Sequence, residues 1–230
     1  MTSCSSPPLV PQDTQRVLRQ AARALGRHGL AHAYGHCSLR LDDKHFLVCA
    51  PRPLGLMGTD DEGTVVAIDA PDLPPGVLGE VRIHREIYRA RPDVGGITRT
   101  MPRHTMALSV MRRTPRVLHG MSAYLSPGVA LWDDPQLIRT DEQAVALARL
   151  LADRTALCMR GNGAVVAGPN LQEAVVLTWY LEDAARIEME CLPESAQVVE
   201  LNCEEANRRK TREGRIFERM WDYLTTGDPE

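Results

Sequence analysis

Glu80 and His84 stand four residues apart, a spacing that puts a carboxylate and an imidazole on one helix face. Such a carboxylate can take up or release a proton, and the imidazole can steer it. The same spacing also suits an ordinary solvated pair. His36, His84, His104 and His119 fall in segments that could converge, but no two have a recognisable metal-ligand spacing. Amine chemistry is thinly served. The only lysines are Lys44, in the acidic turn Asp42-Asp43-Lys44, and Lys210, in the charged run Arg208–Arg212. Both read as exposed, whereas a Schiff-base lysine is buried with a lowered pKa. Cys37 adjoins His36, but neighbours on a strand point to opposite faces and cannot pair directly as nucleophile and base. There is no G-x-S-x-G motif and no Gly-rich phosphate loop.

The elements that must position these groups alternate between helix and strand. Val17, Leu18, Ala21, Ala22 and Leu25 recur at helical spacing, with Asp13 or Thr14 as cap and Gly29 as stop. Strands are expected at Cys37–Leu41, His45–Ala50, Thr64–Asp69 and Val94–Thr98. Helices are expected at Glu80–Arg89, His104–Met111 and Asp141–Leu151, the last opened by Thr140. Ala156–Met159 and Ala164–Ala167 flank Gly161-Asn162-Gly163 and read as a hairpin, with Asn162 as a type I′ turn residue. Asn170 and Glu173 open a long helix to about Leu192. Pro115–Asp134 reads as irregular, and Gln197–Leu224 as a charged, solvated outer helix. Residues 1–12 read as a disordered Ser/Pro-rich tail without signal-peptide character.

At 230 residues, 43 % hydrophobic and 25 % charged, the chain can bury one sizeable core, which excludes disordered and fibrous classes. A formal charge of −3 argues against nucleic acid as a partner, and no apolar run is long enough for a membrane span. Cys4, Cys37, Cys49, Cys158, Cys191 and Cys203 are scattered, with no C-x-x-C. They read as reduced thiols of a cytoplasmic protein.

Several segments, in order, resemble the class II aldolase/adducin family: Gly35-His36-Cys37-Ser38-Leu39-Arg40, Phe46–Pro51, the helix signature Glu80–Val94, and the hairpin Arg160–Gly168. The likeness covers about Asp13 to Leu192, with 193–230 a helical extension packed on the same domain. It implies a three-layer α/β/α sandwich with a mostly antiparallel central sheet, commonly assembled as a homotetramer. It also implies zinc held by three histidines, with a glutamate as acid/base. Here the two histidines of the family's His-x-His are Arg99 and Met101, and the hairpin histidine is Asn162, so all three ligands are replaced. Arginine cannot release its proton to coordinate an ion, and methionine is a soft ligand. The glutamate remains as Glu80. Leu78-Gly79 replaces the family's phosphate-holding Ser-Ser, which argues against a sugar phosphate.

The expectation is a lyase that breaks a C–C bond, by decarboxylation or retro-aldol cleavage, in a small aromatic or hydroxy/keto carboxylate without a metal cofactor. Glu80 serves as acid/base and Arg99 as an electrophilic anchor for negative charge. His36, Arg52, His84 and Asn162 support the substrate, and the Tyr124 and Trp132–Leu137 segments wall a neighbouring subunit's cleft. Two alternatives stand beside it: an iron-dependent oxygenase on an aromatic acid, which would need a rebuilt transition-metal site, and an inactive scaffold.

Overall fold

The structure is a computed structural model and describes residues 8–230. The expected tail 1–12 lies largely outside the described residues, as does Cys4. The first helix, α1, already starts at Gln12 and runs to Arg27. Pro11 is its N-cap, with no side-chain cap; Asp13, expected at the cap, sits in the first turn and faces the helix dipole instead. Gly29, at φ +68°, turns the chain out of the helix as expected.

The strands are β1 (His36–Arg40), β2 (His45–Val48), β3 (Thr64–Ala67), β4 (Gly96–Thr100), β5 (Ala130–Trp132), β6 (Ala156–Met159) and β7 (Ala164–Gly168). They form one seven-stranded sheet in the order β3-β2-β1-β4-β7-β6-β5. Every neighbouring pair is antiparallel except β5 with β6. β5 falls in the stretch expected to be irregular; three residues are too short to show a period-2 pattern. β4 begins two residues later than expected. The polar Arg99 and Thr100 look like a strand's exit, yet Arg99 is paired on both sides, to His36 of β1 and Val165 of β7, in the middle of the sheet, and Thr100 is paired to Ala164 of β7.

The remaining helices are α2 (Arg82–Ala90), α3 (Arg103–Val110), α4 (Asp141–Leu151), α5 (Leu171–Cys191), α6 (Cys203–Arg209) and α7 (Ile216–Thr225). One apolar cluster joins α1, α5 and α7 to one sheet face through Cys37, Leu47, Val166, Val175 and Phe217. A second joins α2 and α4 to the other through Phe46, Ile97, Val165, Ile87 and Leu147. Three layers result, as the family resemblance implied. Thr140 caps α4 in a full capping box, and the Asn170 side chain accepts from the Glu173 N–H at the start of α5. The expected solvated C-terminal helix is instead split into α6 and α7, with Phe217 and Leu224 buried. Beyond α7, Asp228 and Glu230 pair with Arg23 and Arg19 of α1, at 2.6 and 2.5 Å. Apolar spacing at Phe217 and Leu224 therefore outweighs the charge run.

Candidate active site

A cleft of about 560 Å3 opens where the ends of β1 and β4 meet the β6–β7 turn and the turn before α2. The sheet register sets its floor: His36 of β1 lies opposite Arg99 of β4, which lies opposite Val165 of β7. His36 and Arg99 share the face covered by α2, whereas Cys37 is buried in the cluster below α1. The alternation read from the sequence thus separates His36 from Cys37 as expected.

Glu80 sits in the short helical turn Gly79–Val81 that leads into α2. The start of α2 is held to α4 by Arg82 and Arg85, both paired with Asp141. One Glu80 oxygen lies 3.0 Å from Arg99 Nη2, and the other accepts the Ile138 N–H at 3.2 Å. Arg99 also donates to Asn162 Oδ1 at 2.9 Å. Arg99 is only 2 % exposed, and burial lowers its pKa while the Glu80 carboxylate works in the opposite direction.

Asn162 is held against Arg99 by the hairpin turn. The left-handed positions of that turn are Gly161 and Gly163, at φ +66° and +86°, and not Asn162. The expected type I′ role of Asn162 is therefore corrected: the flanking glycines carry the turn, and the amide is free to face Arg99. A Cβ on Gly163 would lie 1.9 Å from the Thr100 carbonyl oxygen, so only glycine allows the turn this close to β4.

Behind His36 runs a buried chain of polar groups. His36 Nδ1 is 2.8 Å from His84 Nε2, His84 Nδ1 is 2.6 Å from Ser38 Oγ, and Ser38 Oγ is 2.9 Å from the Tyr88 hydroxyl. Burial pushes the His84 pKa down to about 3, helped by the Arg99 charge. His36 is likewise driven well below its ordinary value by burial, His84 and Arg99. Both imidazoles are therefore neutral near pH 7.

The structure brings Glu80, Arg99, His36, Arg52, Asn162 and Met101 together on the cleft wall. His84, expected to contact substrate, is fully buried one shell behind His36, because Glu80 precedes α2 and the two do not share a regular helix face. Tyr124, expected on the wall of a neighbouring subunit's cleft, lies away from this chain's own cleft, where it packs against Tyr180 and Phe217 and its hydroxyl donates to the Thr211 carbonyl at 2.6 Å. Leu137 lines this chain's own cleft, and beside it stands Arg139, which the sequence reading missed. Its only signal was nearness to the aromatic Trp132–Leu137 segment. Arg139 makes no ion pair among the described residues, while Arg52 pairs with Asp61 at 2.8 Å. Exposed Tyr34, Leu78 and Leu137 give the rim an apolar surface.

These residues do not suit the family's zinc. A guanidinium, a thioether and a neutral amide occupy the ligand positions, and the cation already present disfavours a second one. His104 and His119, candidates for a rebuilt site, face Glu182 and Asp183 of α5 on the opposite side of the sheet from His84. Among the described residues, no three His, Cys, Asp or Glu side chains are grouped to hold a metal ion.

The three-layer fold and a cleft at this strand end define a class II aldolase-like protein. The chain belongs to the class II aldolase and adducin family, whose N-terminal domain description matches residues 16–189. It is similar to a 3,4-dihydroxyphthalate decarboxylase of Terrabacter sp. (strain DBF63), 26 % identical over 191 residues, which cover 76 % of this chain and 80 % of that protein. The protein of the same name from Arthrobacter keyseri is 25 % identical over 199 residues, covering 80 % of each chain. Among solved structures, an aldolase II superfamily protein from Pseudomonas syringae superposes with a TM-score of 0.78 at 23 % identity. That likeness covers 94 % of this chain and 92 % of the other.

Proposed function

We propose that this chain is a carbon–carbon lyase that decarboxylates a small aromatic carboxylate, with Glu80 moving the proton and Arg99 holding negative charge. The pair of buried Arg99 with partly exposed Glu80 carries the reading. It sets an acid/base beside a fixed cation at the position where the family would place a metal ion. Arg99, Arg52 and Arg139 outnumber Glu80 and Asp61, the latter paired with Arg52, so the cleft is net cationic, and its apolar rim fits an aromatic ring. The names of the two decarboxylase relatives point the same way.

A substrate carboxylate or phenolate on Arg99 sets a second negative charge beside Glu80 and draws a proton onto it. Glu80 then delivers that proton to the ring carbon bearing the departing carboxylate. The C–C bond breaks, carbon dioxide leaves, and the electron pair of that bond forms the new C–H bond. Glu80 returns to a carboxylate and re-pairs with Arg99. No step calls for a metal.

The test is carbon dioxide release from 3,4-dihydroxyphthalate by the purified protein, with a dihydroxybenzoate identified as product. Metal analysis and a thermal-shift screen of small carboxylates are run on the same sample. Turnover without stoichiometric metal supports the reading. Activity that tracks bound iron favours an oxygenase, and ligand-induced stabilisation without turnover of any tested acid favours a binding role. The family's homotetramer is expected in solution, and light scattering that returns a monomer would refute it.

A further inference from the structure

Three buried side-chain nitrogens at the cleft have no partner among the described residues: His36 Nε2, Arg99 Nε and Asn162 Nδ2. Arg99 Nε and Asn162 Nδ2 are donors by their chemistry; His36 Nε2 can be either donor or acceptor. The chain behind His36 decides which. Its four members, His36, His84, Ser38 and Tyr88, are each at most 3 % exposed. Two neutral imidazoles and two hydroxyls carry four exchangeable protons for the three bonds between them. Three protons fill the bonds, and the fourth protrudes at one end, from Tyr88 or from His36.

At the Tyr88 end the ring lies against Phe46 at 4.9 Å and under the Arg40 guanidinium, 4.7 Å from its centroid, a group that carries only donors and offers the hydroxyl no acceptor. Ser38 is the only partner of its hydroxyl among the described residues. A proton protruding there would be stranded without an acceptor. The order is therefore Tyr88 O–H to Ser38, Ser38 O–H to His84 Nδ1, and His84 Nε2–H to His36 Nδ1. We propose that Tyr88, Ser38 and His84 are positioning residues that lock His36 as its Nε2–H tautomer, so that His36, Arg99 and Asn162 together present donors to an anionic substrate oxygen. The substrate class rests on the decarboxylase reading, whereas the tautomer lock does not.

The test is nitrogen NMR of the ligand-free protein with 15N-labelled histidine, His36 being assigned by its loss in a His36→Asn variant. His36 and His84 are expected to be neutral near pH 7, each protonated at Nε2 and bare at Nδ1. In Tyr88→Phe the direction of the chain is released, and His36 is expected to shift toward a mixture carrying Nδ1–H. The dissociation constant of the probe 3,4-dihydroxybenzoate is expected to rise about tenfold. Wild-type His36 protonated at Nδ1 overturns the proposal, as does a folded Tyr88→Phe protein with an unchanged His36 tautomer. If Tyr88→Phe does not fold, the wild-type spectrum decides. The predicted tautomer in a protein that releases no carbon dioxide supports the lock and refutes the decarboxylase reading.

Discussion

Arg99→Met removes the guanidinium and keeps much of the side-chain volume. Two bonds disappear with it, to Glu80 at 3.0 Å and to Asn162 at 2.9 Å. The Glu80 carboxylate then keeps only the Ile138 N–H. Breaking a buried pair by deleting one partner costs about 3–5 kcal/mol. Glu80 retains 16 % side-chain exposure at the cleft, so water can solvate it in part, and a loss of about 2–3 kcal/mol is expected. Glu80→Gln strands a charge that is only 3 % exposed and should lie nearer the upper end of that range. The double variant leaves neither charge behind. It should be less destabilised than the sum of the singles, by about 1–3 kcal/mol of coupling. Chemical denaturation of the four proteins at pH 7 measures this directly. Strict additivity would refute the pairing on which the site argument stands. In turnover, Arg99→Met should cost about 10²–10³-fold in kcat if Arg99 stabilises the reacting anion, and unchanged kcat would remove it from the chemistry.

Acid should destabilise the fold through the buried imidazoles. The His84 pKa is about 3 in the fold against 6.5 ordinarily, so between those values the unfolded chain binds a proton that the native protein excludes. Stability is then lost as pH falls below 6.5, at about 1.4 kcal/mol per pH unit for this group. His84→Gln should flatten the stability slope between pH 5 and 6.5, and an unaltered slope there would contradict a neutral buried His84. Gly163→Ala should destabilise by roughly 2–4 kcal/mol, since a Cβ meets the Thr100 carbonyl oxygen and φ is +86°. Because the turn also holds Asn162 on Arg99, carboxylate binding should weaken with it; a folded variant of wild-type stability would show that β4 can give way.

Local patterns carried far in this chain. Apolar spacing at Val17, Leu18, Ala21 and Leu25, the Thr140 and Asn170 caps, and the Gly161-Asn162-Gly163 turn are each written in a few neighbouring residues. Their physics is equally local: a helix face, two or three orphan N–H groups, a left-handed backbone. Residue types alone also decided that lysine chemistry is thin and that Arg99, Met101 and Asn162 are poor zinc ligands. What the chain order could not determine was which polar groups meet. The short parallel strand β5 and the central placement of Arg99 arise from pairing across the sheet, which has no sequence-local signal. The burial of His84 behind His36 depends on a strand and a helix 48 residues apart coming into register. That Arg99 is a buried charge was likewise set by tertiary structure, because burial, and with it the strength of every charge interaction, belongs to the packed fold and not to any segment of it.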